Sequence, residues 1–242
     1  LHYPLRRQRQ MCIRDRTISP HTRGGKTLSQ GTTMTYIARV YLNPRRKATQ
    51  ELLDNRQVAH AAVEATVFTP EGEHEHRRLL WRLTPREHDV ELLIVSPAKP
   101  SLEHIVEQFG WPGQASETAS VTDYDTFIES VDQGHRVSFA LTASPQKQVS
   151  GTRNKRALRD PEEAVQWLQK RAEKIGLDID RLEIRSVSNS TAKRSSGRLG
   201  IFGVTFAGHA TVFDPEALRS ALVNGIGKHK AHGMGLLTVA PR

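Results

Sequence analysis

Apolar positions from residue 34 onward follow two spacings, alternating and helical, and these spacings predict the elements of the fold. Tyr36 to Leu42 alternates loosely between apolar and polar residues, which predicts a strand that Asn43-Pro44 closes. Residues 48–67 carry apolar side chains at helical spacing, with no Gly or Pro, and predict one helix. The pattern further predicts strands at 79–83, 90–95 and 120–124 and a helix from a capping Ser101 to Phe109.

The second half repeats this order of elements. It begins with a strand at 137–143, and Asp160-Pro161 then begins a helix with a capping residue and a first-turn proline. The remaining predicted elements are strands at 182–187 and 201–213, a helix from Asp214-Pro215 to Gly225, and a strand at 236–240. The sequence therefore predicts an α+β fold of two tandem ferredoxin-like domains, each RRM-like with the order βαββαβ. We expect the domains to span residues 34–130 and 131–242.

Residues 1–33 lack both spacings. They hold seven basic residues against one acid, Asp15. Such a segment cannot bury enough apolar surface to offset its ordering entropy, so we expect 1–33 to be a disordered basic leader. An organelle transit peptide or a nucleic-acid-binding arm would share this composition. Because Met34 directly precedes the first predicted strand, we favour a non-native leader ahead of a start at Met34.

Composition excludes several classes of protein. The longest apolar run, Leu92 to Val95, is far shorter than the roughly 20 residues of a membrane span. A single cysteine, Cys12, excludes an intramolecular disulfide framework and a four-cysteine zinc site. We therefore expect a soluble, cytoplasmic protein that does not associate with membranes.

The net charge of +9 is distributed unevenly along the chain. Residues 34–143 hold 11 basic and 16 acidic residues, whereas residues 144–242 hold 17 basic and 9 acidic residues. A basic second half favours a polyanionic partner for that half.

Three basic clusters without intervening acids account for much of this charge. They are Lys147, Arg153, Lys155, Arg156 and Arg159; Lys193, Arg194 and Arg198 in a predicted Ser- and Gly-rich loop; and Lys228 and Lys230. Each cluster alone is typical of a solvated face, but three in one domain favour a groove for a phosphate polymer. Because few aromatic residues accompany them, we expect backbone contacts to a helical nucleic acid rather than base stacking.

The last two lysines belong to a glycine-rich loop that contains Gly225, Gly227, Gly233 and Gly235. Glycines allow the backbone to approach an anion closely. Rossmann and Walker loops run from strand to helix, whereas this loop runs from helix to strand, so a mononucleotide site is not indicated. We favour a loop that contacts polymeric phosphate, with a flexible linker as the alternative.

His60 lies in the middle of the first predicted helix, four residues after Arg56. Small neighbours on either side leave its ring room to meet a ligand, although the residues alone favour a half-buried structural histidine. His229 and His232 have H-x-x-H spacing without a carboxylate or cysteine partner nearby in sequence, so we predict no metal site and no cofactor.

Several motifs together resemble one family. They are Tyr41-Leu42-Asn43-Pro44, Leu80-Trp81-Arg82, the stretch Phe139 to Lys147, Glu163 to Leu168, and above all the string of glycines and apolar residues from Gly225 to Pro241. From about Met34 to Arg242 the chain resembles the CasE family, the CRISPR repeat-processing endoribonucleases of type I-E systems.

The resemblance implies a specific activity. Members of this family bind the hairpin of the CRISPR repeat RNA and cut the precursor crRNA at the 3′ base of the hairpin without a metal. The ribose 2′-OH attacks the adjacent phosphate and leaves a cyclic phosphate. His60 matches the family's general acid or base, and Lys228, Lys230 or amides of the glycine-rich loop could stabilise charge. Some members carry a tyrosine where this chain has Gln57, and others a lysine near Ala65.

The resemblance also implies a partner and leaves alternatives. The enzyme would stay on the cleaved hairpin as a subunit of Cascade, the crRNA surveillance complex, with the basic clusters as RNA contacts. A non-catalytic hairpin-binding subunit of the same complex is one alternative, and an enzyme for a phosphorylated small molecule at the glycine-rich loop is another.

Overall fold

The computed structural model describes residues 34–67, 79–194 and 197–242. The predicted leader, 1–33, lies outside the described residues. Within them the chain forms two antiparallel four-stranded sheets, one from each half, and a separate two-stranded hairpin. The predicted α+β fold of two tandem ferredoxin-like domains is confirmed, while the boundary between residues 130 and 131 stays a prediction. No helix of the described part is long and apolar enough to span a membrane.

The first sheet has the strand order β2-β3-β1-β4. Its elements in chain order are β1 (Tyr36–Leu42), α1 (Lys47–Asp54), α2 (Arg56–Glu64), β2 (Leu80–Pro85), β3 (Val90–Ser96), α3 (Glu103–Phe109), α4 (Ala115–Thr118) and β4 (Ala119–Asp123), followed by a short α5 (Asp125–Glu129). The predicted edge strand is β4, which pairs with β1 alone.

Two details of the first half differ from the prediction. The single helix predicted over 48–67 is two helices, because Asn55 adopts an extended conformation (φ −124°, ψ 100°) between α1 and α2. Its side-chain Oδ1 accepts a hydrogen bond from the Gln57 amide at 3.1 Å and so caps α2. The predicted cap of α3 is wrong, since Leu102 occupies the capping position and makes no side-chain hydrogen bond there.

The second sheet has the strand order β10-β5-β9-β8. The elements of this half are β5 (Arg136–Ala143), β6 (Gln146–Gln148), β7 (Lys155–Ala157), α6 (Pro161–Ala172), β8 (Leu177–Arg194), β9 (Gly197–Val212), α7 (Pro215–Asn224) and β10 (Leu237–Pro241). The predicted cap of α6 is present, since Asp160 accepts from the Glu162 and Glu163 amides. Asp214 caps α7 in a similar way by accepting from the Ala217 amide.

The loop predicted around Lys193, Arg194 and Arg198 is instead the far end of a long β-hairpin. The strands β8 and β9 stay paired until Arg194 lies opposite Gly197. The sequence pattern missed this extension because its residues are Ser, Thr, Asn and Gly, which are typical of loops. The hairpin holds the backbone of these basic residues in a fixed register.

The two sheets also pack against each other. Leu80 and Val95 of the first sheet are buried in the apolar core of the second. Arg82 on β2 is buried as well, and its guanidinium donates to the Ala140 carbonyl and the Thr238 hydroxyl of the second sheet, both at 3.2 Å. Residues of the two halves therefore meet along a defined interface.

Candidate functional site

His60 lies on α2 and is half-buried, with 21% of its side chain exposed. Its Nε2 lies 3.2 Å from Glu64 Oε1 one helical turn later. Its Nδ1 is buried and makes no hydrogen bond to any residue of the described ranges. The imidazole is therefore fixed on the helix but retains surface through which a ligand can reach it.

The glycine-rich loop brings two further histidines to His60. The rings of His60 and His232 meet edge to face with centroids 6.0 Å apart, and His229 lies 6.3 Å beyond His232. His229 adopts the left-handed backbone conformation (φ 60°) and its Nε2 lies 2.9 Å from Gln146 Nε2. Sequence reasoning considered His229 and His232 only as metal ligands, because no local signal places a loop of the second half against a helix of the first.

The glycines of this loop are required by close packing. A Cβ at Gly233 (φ +76°) would lie 2.6 Å from the Trp81 ring, and one at Gly225 (φ +66°) would lie 2.8 Å from Leu80. Both Trp81 and Leu80 belong to β2, so the loop lies directly on the first sheet. Gly227 and Gly235 also adopt positive φ angles. The predicted contact of this loop with phosphate stays a prediction.

Arg56 is a member of the site that sequence reasoning did not identify. It begins α2, is 9% exposed, and its Cζ lies 5.9 Å from the centre of the Trp81 ring. Burial lowers the pKa of the Arg56 guanidinium. Nothing in its sequence context distinguishes it from an exposed helical arginine.

The first basic cluster lies on and beside the hairpin of β6 and β7, where Lys147 pairs with Arg156 in the strand register. Arg156 forms a two-point ion pair with Glu163, which raises the pKa of Arg156. Arg159 donates to Asn189 Oδ1 at 3.1 Å and lies over the Phe202 ring. These two arginines therefore already have partners within the protein.

The remaining lysines of this region differ in their surroundings. Contact with Lys228 lowers the pKa of Lys155, so two like charges from different clusters lie side by side. Lys230 instead donates to the Asn224 carbonyl at 2.7 Å, at the end of α7. Arg153 is exposed in the turn between β6 and β7.

A groove next to this hairpin adds two basic residues outside the predicted clusters. Lys170 and Arg171 of α6 line it together with Lys147, and Arg171 stacks on the Trp167 ring at 3.9 Å. Their helix begins with acids, so a search for acid-free clusters could not find them.

The second cluster lies beside the beginning of α2. Lys193 and Arg198 face each other across the β8–β9 hairpin and line a cleft with Asn55 and Thr191. The Lys193 amide donates to Asn55 Oδ1 at 3.2 Å, and the Asn55 and Thr191 backbones form an isolated β-bridge. Arg194 ends β8.

The described residues contain no group of three or more His, Cys, Asp or Glu side chains that could hold a metal ion. The arrangement instead places three imidazoles, those of His60, His229 and His232, at the junction where α2 of the first half meets the glycine-rich loop of the second. Basic residues lie on the surfaces around this junction. Such a set can transfer protons to and from a bound anion.

The fold and this junction define a tandem ferredoxin-like protein whose candidate active site is shared by its two halves. The chain belongs to the CRISPR associated protein family, which matches residues 35–241, and the predicted CasE membership is confirmed. It is 30% identical over 220 residues to the CRISPR-associated endoribonuclease Cse3 of Thermus thermophilus. The alignment covers 85% of this chain and 100% of Cse3.

Solved structures agree with this assignment. Thermus thermophilus Cse3 bound to an RNA representing a pre-cleavage complex matches with a TM-score of 0.71 and 29% identity, over 86% of this chain and 100% of that chain. A chain of a CRISPR RNA-guided surveillance complex in a pre-nicking state matches with a TM-score of 0.62 and 23% identity, over 85% of this chain and 99% of that chain. The latter similarity concerns the fold alone.

Proposed function

We propose that this chain is an endoribonuclease that binds the hairpin of a CRISPR repeat and cleaves precursor crRNA at the 3′ base of the hairpin. Family membership and the full-length similarity to Cse3 support the activity. The observation that carries the site is the placement of a partly exposed His60 against the glycine-rich loop of the other half.

The proposed reaction needs no metal. The ribose 2′-oxygen forms a bond to the adjacent phosphorus, and the bond from phosphorus to the 5′-oxygen of the next nucleotide breaks. The 2′-hydroxyl loses a proton, the departing oxygen gains one, and the products are a 2′,3′-cyclic phosphate and a 5′-hydroxyl. His60 serves as general acid or base, a role that typically accelerates such reactions by about 10²–10⁴-fold.

The basic clusters are the proposed RNA contacts. Their positions on two β-hairpins and on the glycine-rich loop suit contacts to the phosphates of a hairpin stem. Lys155 and Lys228 lie side by side, so an anion that binds between them would contact two positive charges.

We further propose that the protein acts in the cytoplasm and stays on the cleaved RNA as a subunit of a surveillance complex. Membership of the CasE family, which the resemblance associates with Cascade, supports this assembly. An enzyme that stays on its product does not turn over, so each molecule needs to cleave only one RNA.

The test is cleavage of the cognate repeat RNA in EDTA under single-turnover conditions. We expect cleavage by the wild type, loss of product with His60→Ala, and loss with a 2′-deoxy substitution at the scissile nucleotide. His88→Ala is the matched control, since His88 is exposed in a turn outside the site. Cleavage of the 2′-deoxy substrate would contradict the mechanism.

One observation favours a second candidate, a non-catalytic hairpin-binding subunit. Gln57 and Ala65 stand where the resemblance leads us to expect a tyrosine or a lysine. Tight binding of the repeat by the wild type, with no product in the same assay, would favour that candidate.

A further inference from the structure

Arg56 is a buried cation without a full set of hydrogen-bonding partners in the described part of the fold. Its Nε and Nη1 are buried and make no hydrogen bond there, and none of the ion pairs among the described residues includes it. The Trp81 ring lies at the outer limit of a cation–π contact, and a ring face does not satisfy N–H donors.

Folding alone does not account for an arginine at this position. Burying an unpaired charge is costly. Replacing a buried charge with an apolar side chain of similar volume often leaves the stability of the protein unchanged or raises it. Residues that break this rule are expected where function requires them. An anionic ligand would supply the counter-ion that Arg56 lacks.

The position of Arg56 identifies that anion. Arg56 and His60 are one helical turn apart, so their side chains lie on the same face of α2. The Trp81 ring beneath Arg56 also contacts Gly233, the residue after His232, whose ring meets His60. A scissile phosphate whose 2′-hydroxyl or departing 5′-oxygen meets His60 is thus a neighbour of Arg56.

We propose that Arg56 binds the scissile phosphate of the RNA and stabilises its charge in the pentacoordinate transition state. The planar guanidinium is suited to donate N–H bonds to phosphate oxygens, and no proton leaves it. Of the two lysines predicted for this role, Lys230 is engaged with the Asn224 carbonyl and Lys228 lies beside Lys155. The inference rests on the proposed function and adds a catalytic residue to it.

The first experiment compares wild type, Arg56→Met and Arg56→Lys by single-turnover cleavage and thermal unfolding. Arg56→Met should cleave about 10²–10³-fold more slowly, as is typical when one charge-stabilising donor is removed. Its melting temperature should be equal to or above that of the wild type. Arg56→Lys retains a charge but not the planar guanidinium, so it should recover part of the rate.

The second experiment measures binding of an uncleavable hairpin RNA with a 2′-deoxy scissile nucleotide. The scissile position carries either the ordinary phosphate or a neutral methylphosphonate. Wild type should bind the methylphosphonate RNA more weakly, whereas Arg56→Met should bind both RNAs equally. A methylphosphonate placed in the hairpin loop is the control and should affect both proteins alike.

Several outcomes would overturn the inference. The first is cleavage by Arg56→Met at the rate of the wild type, and the second is failure of that variant to fold. The third is a difference in affinity between the two RNAs that is as large for the variant as for the wild type. Failure of the proposed function gives a different result, because the wild type would then leave the repeat intact or His60→Ala would still cleave it.

Discussion

Gly233 allows the glycine-rich loop to lie on Trp81, and its replacement tests that contact. A Cβ there would lie within 2.6–2.9 Å of three ring atoms, and the backbone is left-handed (φ +76°). We expect Gly233→Ala to lower the free energy of unfolding by about 2–5 kcal/mol, the combined cost of strained backbone and overpacking. Cleavage should fall as well, because His232 is displaced from His60.

Gly134→Ala is the matched control for denaturant unfolding. Gly134 has a similar φ (+83°), but a Cβ there meets nothing within 4 Å. It should lose only the backbone part, about 1–2 kcal/mol. Equal losses in the two variants would show that the contact with Trp81 does not constrain the loop.

Single residues could be predicted from the sequence where the chemistry is local. The caps Asp160 and Asp214 act on amides within three residues, so a short window contains the whole interaction. The burial of Arg56 and the approach of His232 to His60 depend on how the two halves dock. No window around either residue contains that information.

At the scale of elements, Asn55 joins α2 to the long hairpin of β8 and β9. Its Oδ1 accepts both from the Gln57 amide, at the start of α2, and from the Lys193 amide. We expect Asn55→Ala to destabilise the protein by about 0.5–2 kcal/mol through loss of the cap. It should also slow cleavage, because α2 carries His60.

Asn55→Asp retains both acceptor bonds and should keep the stability near that of the wild type. Its cleavage rate should also be near that of the wild type when enzyme saturates the RNA, because the added negative charge beside Lys193 and Arg198 acts on RNA binding. Urea unfolding and single-turnover cleavage would measure the two effects. If Asn55→Ala is as stable and active as Asn55→Asp, the hydrogen bonds of Asn55 do not link these elements.

The far end of the β8–β9 hairpin is predicted to bind RNA phosphate. Lys193→Ala with Arg198→Ala should weaken hairpin-RNA binding, and the slope of log affinity against log salt should decrease by about 2, roughly one for each positive charge removed from the RNA interface. Arg181→Ala with Arg185→Ala removes two charges from the same hairpin, outside the predicted clusters. An equal change in slope for that control pair would contradict a specific role of the hairpin end.

At the scale of the whole molecule, Arg82 connects the two sheets. It is buried and donates to a carbonyl on β5 and a hydroxyl on β10. Arg82→Ala should cost about 1–3 kcal/mol, since it removes two hydrogen bonds between the sheets, each worth about 0.5–1.5 kcal/mol. Arg39→Ala, an exposed arginine of the same sheet, should change stability by no more than about 0.5 kcal/mol.

The cleavage rate shows whether Arg82 affects the candidate site by holding the two sheets together. Because His60 and the glycine-rich loop lie in different halves, Arg82→Ala should reduce activity more than Arg39→Ala does at temperatures where both variants are folded. Equal activity of the two variants would show that the site does not depend on this connection.

The overall architecture could be predicted because each domain repeats the same alternation of strand and helix patterns. Prediction failed at the hairpin of β8 and β9, where pairing between strands holds residues of low strand propensity in an extended conformation. It also failed at Asn55, where an extended residue divides one apolar stripe into two helices.

The division of the site between a helix of the first half and a loop beyond α7 has a consequence for biosynthesis. Chains emerge from the ribosome at about 5–20 residues per second, and domains that emerge first fold first. A nascent chain therefore exposes His60 before the glycine-rich loop has been translated. Such a chain would be inert toward RNA near the ribosome and become a nuclease only when its second half has folded.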